Sequence, residues 1–376
     1  MKIVHTPARV YPYIGGIENY VYSLSKELVR SGHSIKIICA AEPSFKDRRK
    51  SHLDGIEIRR LNYPIKIANT NITPGLPGAL LREDFDLIHT YLPTPWSADW
   101  SGVAAILKNK PLFLSYFNDI TGRGINKFIA AIYNLTGLKL LLNRADKIFV
   151  AHQDYILSSH FLKKFDRKII IAPPGVDSEK FKPLDLPKNK ENTIFFLSIL
   201  DRFHFYKGLK QLIISIKSII DKVPLKLYIG GRGELLGHYK KFVQEQGLEK
   251  SIIFLGFIDD AELVKYYNQC DIFVLPSISP VQEGFGMVAL EAMACKKPVI
   301  VTEIIGVASI VRRENAGVVV RPGDVSALSE ALTYLLLHEK ERQIMGENAY
   351  RLVKEKYTWS RHASIIEKEY LEAAGF

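Results

Sequence analysis

Glu283 and Glu291 stand eight residues apart around the start of an apolar helix. At about 1.5 Å of rise and 100° per residue both can face one cleft, up to roughly 12 Å apart, which suits a ligand with hydroxyl groups at two ends. Eight residues is also near two helical turns, so the pair reads equally as two solvated helix acids. The turn Gly284-Phe285-Gly286 between them opens a helix whose first N–H groups can meet an anion. Arg202 and Lys207 lie five residues apart in a loop between a strand and a helix. Such cations can close on one diphosphate, Arg by its planar fork and Lys as a point charge, or they can stand solvated. Gly15-Gly16 precedes another helix, where it either admits a phosphate or permits the turn.

The elements that position the two acids follow from the apolar pattern. Residues 272–275 are a short apolar run stopped by Pro276, a buried parallel strand whose carboxyl end opens a site. Residues 277–283 are polar, 287–295 form an apolar helix, and 298–302 a further strand. This strand, Glu-Gly-Phe-Gly turn, helix and strand resemble the E-x7-E signature of the retaining glycosyltransferases of family 4. The resemblance implies an α/β fold of the GT-B architecture, with two Rossmann-like doubly wound domains facing across a cleft.

At 376 residues the chain exceeds the size at which one hydrophobic core stops growing, so two domains are expected. Cys39, Cys270 and Cys295 fall singly, as the reduced core thiols of a cytosolic protein do. The amino-terminal apolar run is too short for a signal peptide, and no stretch reaches the roughly 18 apolar residues of a membrane span. A formal charge of +11 fits nucleic acid, an anionic membrane surface or a phosphorylated substrate. No nucleic-acid module or compact Lys/Arg stripe accompanies it, which disfavours the first.

Along the chain, strands are predicted at 2–5, 35–40, 55–60, 86–91, 111–117, 147–152 and 168–172. The helix at 17–30 carries Tyr20, Val21, Leu24 and Leu28 at helical spacing. This is a doubly wound pattern. Residues 63–82 interrupt it and read as a surface loop near the acceptor site. Asp84-Phe85-Asp86 has the form of a metal-holding D-x-D, but it lies at the amino end of a strand, away from the active edge of such a sheet. No metal or other cofactor is therefore expected. His89, near the carboxyl end of the same strand, reads as cleft-facing or as a satisfied structural histidine. Residues 124–144 read as one long apolar helix carrying Lys127, Lys139 and Arg144. Core packing is expected of it, with a bilayer-resting face as the alternative.

Pro173-Pro174-Gly175-Val176-Asp177 and the charged, aperiodic run 178–192 read as a linker. The second half restarts with a strand at 193–199, the loop of Arg202 and Lys207, a helix to 220 and a strand at 225–229. Gly230-Gly231-Arg232-Gly233 with Gly237 is one residue too long for the dinucleotide fingerprint, and no acid ends the strand at 251–255. A nicotinamide enzyme is thus disfavoured. A strand at 317–320 and two polar amphipathic helices close the chain.

The resemblance divides the chain into an acceptor-side domain (1–175), a hinge (176–192), a nucleotide-sugar domain (193–357) and a terminal helix (358–376) crossing back to the first. It implies that Arg202, Lys207 and the helix starts at Gly15-Gly16 and Gly284-Phe285-Gly286 hold the diphosphate of a UDP- or GDP-linked sugar. Gly231 then lies under the nucleotide, and Phe257 and Ile258 hold the base mainly through backbone groups, Phe257 reading equally as core. Glu291 binds the ribose and Glu283 the sugar. Glu283, Arg202, Lys207 and Asp119 form the implied catalytic set. The family retains anomeric configuration without a metal, the departing phosphate accepting the acceptor's proton.

One motif departs from the family pattern. Where many members read Tyr-His-x-Asp-Ile, this chain reads Tyr116-Phe117-Asn118-Asp119-Ile120. The family's histidine reaches toward the 6-position of the donor sugar, and Phe117 can make no conventional side-chain hydrogen bond there. A donor without a polar 6-group, a weak or lost activity, or a substituted histidine each accounts for it. Asp119 keeps the motif and reads as support for the site or as a loop cap. A nucleotide-sugar epimerase and a catalytically impaired nucleotide-sugar-binding protein stay open beside the transferase. Charge and apolar surface favour a lipid-linked or polyanionic hydroxyl acceptor over a free sugar, and a cytoplasmic protein peripheral to the inner membrane face.

Overall fold

Strands too apolar to face water alternate along the chain with helices apolar on one side, and each half closes these into a layered sheet. A computed structural model describes residues 1–376 except 12, 14, 43–49, 68–69, 121–124, 188, 280–283 and 376. Met1–Pro174 with Trp359–Phe376 form one unit, and Gly175–Thr358 the other. The strands of the first unit are β1 (Lys2–Thr6), β2 (Ser34–Ala40), β3 (Lys50–Leu53), β4 (Ile56–Leu61), β5 (Ile65–Ile67), β6 (Thr70–Ile72), β7 (Leu87–Leu92), β8 (Leu112–Tyr116), β9 (Lys147–Val150) and β10 (Ile169–Ile171). Those of the second are β11 (Asn192–Leu197), β12 (Leu225–Gly230), β13 (Ile252–Gly256), β14 (Ile272–Leu275), β15 (Val299–Thr302) and β16 (Gly317–Val320). The α-helices are α1 (Gly16–Arg30), α2 (Leu76–Arg82), α3 (Pro95–Leu107), α4 (Ile125–Leu135), α5 (Gly137–Arg144), α6 (Gln153–Ser158), α7 (Leu209–Ile219), α8 (Leu236–Glu245), α9 (Asp260–Gln269), α10 (Met287–Ala294), α11 (Ala308–Arg313), α12 (Val325–Leu337), α13 (Glu339–Lys356) and α14 (Trp359–Ala374).

The first sheet runs β10-β9-β8-β7-β1-β2-β4-β3, and the second β13-β12-β11-β14-β15-β16. Every pairing in them is parallel except β3 with β4. Both are doubly wound, and the second has the Rossmann order 3-2-1-4-5-6. The strand order reverses between β1 and β7 in one and between β11 and β14 in the other. Every residue of β7, β8, β14 and β15 is buried, as parallel strands covered on both faces require. α1 buries Tyr20, Val21, Leu24 and Leu28 and closes at Ser31, with Gly32 in the left-handed region at φ 88°. In the second unit Leu212, Ile213 and Ile216 of α7 pack on Ile194, Phe196, Leu227 and Ile229, each burial worth about 1.5–3 kcal/mol. Cys39, Cys270 and Cys295 are buried free thiols, each pushed up to about 12 by burial.

Several sequence expectations are corrected. Residues 63–82 are not a plain loop: β5 and β6 form an antiparallel hairpin and α2 follows. β3, an antiparallel edge strand, was not predicted. The single helix expected over 124–144 is two, broken at Thr136, whose Oγ1 donates to the Ile132 carbonyl at 2.8 Å. A Cβ on Gly137 would sit 2.6 Å from the Tyr133 ring, so a larger residue at the junction would have to displace that ring. Ala130, Leu138, Leu141 and Leu142 are buried, but Phe128, Ile132, Leu135 and Leu140 are exposed, so core packing accounts for one side only.

The Asp84-Phe85-Asp86 triplet is structural. Asp86 accepts the Lys2 backbone N–H at 2.7 Å and Asp84 pairs with the Lys2 ammonium, which ties β7 to β1. His89 is fully buried, bonded through Nε2 to Ser115 at 2.9 Å and through Nδ1 to the Tyr370 hydroxyl, so it faces core and not a cleft. Tyr370 and His362 bring α14 into the first unit, His362 Nε2 lying 2.8 Å from the Tyr20 hydroxyl.

Candidate active site

In an open parallel sheet the crevice lies at the carboxyl edge where strand order reverses. In the second unit that point lies between β11 and β14. The loop after β11 is shaped by Asp201, whose Oδ1 accepts the N–H groups of Phe203 and His204 at 2.8 and 2.9 Å and meets His204 Nδ1 at 2.8 Å. Burial opposes ionisation of Asp201, but these His204 and Phe203 bonds outweigh it and hold its acid below the ordinary range. Arg202 projects from this loop with its side chain 73% exposed, and Glu234 holds it, accepting from Nε at 2.5 Å and from the backbone N–H at 3.3 Å. Lys207 closes the loop one residue before Gly208, its Nζ 5.4 Å from the Tyr206 ring.

The loop after β12 is strapped to this one. Ser198 N–H donates to Gly230, Leu200 to Arg232 and Leu235 to Leu200, at 3.1, 3.0 and 2.8 Å. A Cβ on Gly231 would lie 1.8 Å from the Ser198 carbonyl oxygen, and one on Gly233 2.2 Å from that of Leu200. The glycines are therefore dictated by backbone contact between two loops, whatever lies over them. Gly208 is constrained likewise, its notional Cβ 2.0 Å from the Pro276 carbonyl, and Ile278 N–H donates to Tyr206 at 2.7 Å. The loops after β11 and β14 are thereby joined across the switch point.

Glu283 lies outside the described residues. Gly284, Phe285 and Gly286 are described: Gly306 N–H donates to Gly284 and Val307 N–H to Phe285, both at 3.1 Å, and Gly286 starts α10 at φ 89°. Phe285 is buried, 5.8 Å from the Tyr357 ring, so what α10 can offer a ligand at its start is backbone. Glu291, on the second turn, accepts the hydroxyl of fully buried Tyr267 at 2.8 Å. Burial pushes its acid up to about 7, with Tyr267 and Lys180 opposing. It is a carboxylate held ready at its hydrogen-bonding edge, close to neutrality.

Phe257 is 58% exposed, which removes the core reading, and the Arg232 guanidinium lies 4.9 Å from its ring centroid. Exposed ring and cation make a flat platform suited to an aromatic base. Arg232 was not among the predicted site residues; the available signal is a cation inside a glycine run. Ile258 is half-buried, its Cδ1 2.5 Å from where a Cβ on Gly230 would be.

Gly15, Gly16, Phe117 and Asp119 belong to the first unit. Gly15 caps α1 with extended backbone, and a Cβ there would strike Glu18 Oε2 at 2.2 Å, whereas Gly16 faces open space. Glu18 is turned back onto Arg9 at 2.7 Å, and Arg9 also pairs with Glu42 at 3.0 Å. Asp119 Oδ1 accepts the hydroxyls of Tyr116, Tyr155 and Ser159 at 3.0, 3.2 and 2.6 Å, the bonding of an anchor between loops. Phe117 is half-buried, edge-on to Tyr20 with ring centroids 4.8 Å apart. Among the described residues no group of three or more His, Cys, Asp or Glu is placed to hold a metal ion.

Comparison with known proteins bears on the family and the fold. Residues 177–352 match the family described as Glycosyl transferases group 1, and residues 14–180 match Glycosyltransferase Family 4. The chain is 31% identical to the D-inositol 3-phosphate glycosyltransferase of Corynebacterium jeikeium, over 95% of this chain and 92% of that one. It is 27% identical to the O-antigen chain mannosyltransferase C of Escherichia coli, over 95% of each. Its fold is similar to that of Anabaena HepE solved with UDP, at a TM-score of 0.77 and 18% identity over 98% of this chain and 99% of that one.

Proposed function

The chain belongs to the group 1 glycosyl transferases, and from that premise we propose that it transfers a sugar with retention of configuration and without a metal ion. It is a glycosyltransferase of the GT-B type acting on nucleotide sugars. The observation that carries the finer reading is the switch point of the second sheet, where the Arg202–Lys207 loop is joined through Tyr206 and Ile278 to the segment leading into α10 and Glu291. The diphosphate lies on Arg202, Lys207 and the backbone at Gly284, Phe285 and Gly286. The base lies against Phe257 and Arg232 beside Ile258, above the loop of Gly231, and Glu291 accepts ribose hydroxyls. Glu283 takes the sugar's hydroxyls, an assignment that rests on the family resemblance.

In the reaction the bond from the anomeric carbon to the phosphate oxygen breaks, and a bond to the acceptor oxygen forms on the same face. The acceptor's proton passes to the departing phosphate. Negative charge grows on that phosphate, and each fixed donor aimed at it contributes roughly 2.7–4 kcal/mol to the transition state. With two cations on one loop, no metal is called for. Asp119 positions the loop after β8 instead of moving a proton. The apolar ring of Phe117 favours a pentose or 6-deoxy donor, and faster turnover of hexoses with a free 6-hydroxyl would rule that out. The positive charge favours a lipid-linked or polyanionic acceptor.

The test is a product assay in EDTA with UDP- and GDP-linked sugars, with and without a lipid extract as acceptor. Release of nucleoside diphosphate that depends on acceptor, with labelled sugar joined to it, is the expected result. Conversion of the nucleotide sugar without acceptor would identify an epimerase. Binding without turnover would identify an impaired binding protein, and turnover only after Mg²⁺ or Mn²⁺ is added would refute metal independence.

A further inference from the structure

Two consecutive, mutually packed helices of the first unit, α4 and α5, leave several large apolar residues outside its core. The inner side of α4 and α5 is fixed by buried Ala130, Leu138, Leu141 and Leu142 and by the Tyr133 hydroxyl, which donates to Asp99 of α3 at 2.7 Å. On the outer side Phe128, Ile132, Leu135 and Leu140 are 72%, 66%, 76% and 71% exposed. Phe128, Ile132 and Leu135 follow one another at four and three residues, one continuous stripe along α4. α3, which packs on α5, adds Ile106 and Leu107 at its end, 60% and 65% exposed. Single exposed apolar side chains are ordinary, but a run of them along consecutive packed helices marks a surface with an occupant.

Charge identifies the occupant. Between Asp119 and Asp146 the sequence has no acidic residue and four cations, Arg123, Lys127, Lys139 and Arg144. Lys127 and Lys139 are exposed on the same two helices as the stripe and make no ion pair among the described residues. A second copy of the chain would set these lysines against their own kind. An anionic bilayer meets both features at once: apolar side chains enter the boundary of headgroups and acyl chains, while lysines reach up to phosphates. No described helix is long and apolar enough to cross a membrane, so the contact is with one leaflet.

We propose that the outer face of α4 and α5, continued by the end of α3, is a docking surface for an anionic lipid bilayer. The inference is independent of the transferase reading. The test is sedimentation of the full chain with vesicles of phosphatidylcholine alone and of phosphatidylcholine mixed with phosphatidylglycerol, at low and high salt. The wild type pellets with the mixed vesicles at low salt. Ile132→Ser with Leu135→Ser lowers the partition coefficient at least about tenfold, since two exposed side chains lose their burial in lipid. Lys127→Glu with Lys139→Glu removes the preference for the mixed vesicles. All four positions are exposed and outside the candidate active site, so melting temperature and stabilisation by nucleotide stay at wild-type values. A wild type that leaves the mixed vesicles unbound at low salt overturns the proposal, as does a serine variant that binds like wild type. A dimer in sedimentation velocity that the serine variant dissolves would assign the face to a second copy and overturn it equally.

Discussion

Glu291→Gln separates what this residue offers a ligand from what it costs the fold. Burial raises its acid from an ordinary 4.5 to about 7, with the Tyr267 hydroxyl and Lys180 working the other way. Between those two values the native protein holds a proton that the unfolded chain has released. The contribution of Glu291 to stability is therefore most favourable below pH 4.5 and declines as pH rises through 7, after which the full cost stays. The displacement corresponds to about 3 kcal/mol above pH 7. The side chain is only half-buried, so water relieves part of this, and about 1–2 kcal/mol is the expected gain on removing the charge. The Gln carbonyl still accepts the Tyr267 hydroxyl. For a unit of this size each kcal/mol moves the midpoint by about 2–4 °C, so the variant melts about 2–8 °C higher at pH 8. Differential scanning fluorimetry of both proteins from pH 4.5 to 8 reads the effect, which should vanish at the acid end. A variant that melts at or below wild type at pH 8 refutes the placement of Glu291 as a carboxylate held at a cost to stability.

Other outcomes follow from the same geometry. Arg202→Ala and Lys207→Ala each lower kcat by about 10²–10³, measured by release of nucleoside diphosphate. Glu234→Ala, which frees Arg202 from its partner, gives a smaller loss in the same assay, expressed mainly in KM. His5, His89 and His362 are fully buried in the first unit; burial lowers His5 to about 3 and His362 to about 4, and holds His89 well below 6.5. Their contribution is complete above about pH 6.5 and is lost as pH falls toward those lower values. Denaturant unfolding at pH 5 should thus show a loss of about 2 kcal/mol for each of His5 and His362 against pH 7, and replacing His5 by Gln should flatten that slope. Gly231→Ala, forced against the Ser198 carbonyl at a φ of 126°, should lower the melting midpoint by several degrees, at a cost of more than about 1 kcal/mol.

The strands were legible because parallel strands covered on both faces must be largely apolar, as Ile272–Leu275 is throughout and Leu112–Tyr116 is apart from Ser115. The helix of residues 76–82 was not, because Pro77 reads as a breaker although the first helical turn is where proline is at home. All-round apolarity at 124–144 points to burial, but periodicity has no way to distinguish a core face from one that meets another phase. In the site, the spacing of Arg202, Lys207 and Glu291 left solvated readings open, and the family resemblance named them. Their partners could not be named: Glu234 is 32 residues from Arg202 and Tyr267 is 24 from Glu291. Gly231 reads as a nucleotide bed, whereas the fold demands it for contact with the loop after β11. Asp119, shared between a catalytic and a capping reading, has its oxygen taken up by three hydroxyls from two segments that only the fold brings together.

The central claim is that the second unit binds a nucleoside diphosphate through Arg202, Lys207 and Glu291 with no metal. It is tested most directly by calorimetric titration in EDTA with UDP, GDP and ADP, on wild type and on Lys207→Ala and Glu291→Ala. The account predicts that one nucleotide binds the wild type and that both substitutions weaken it at least about tenfold, since each removes a direct contact. Equal affinity in all three proteins, or binding by wild type that appears only when Mg²⁺ is added, would contradict it.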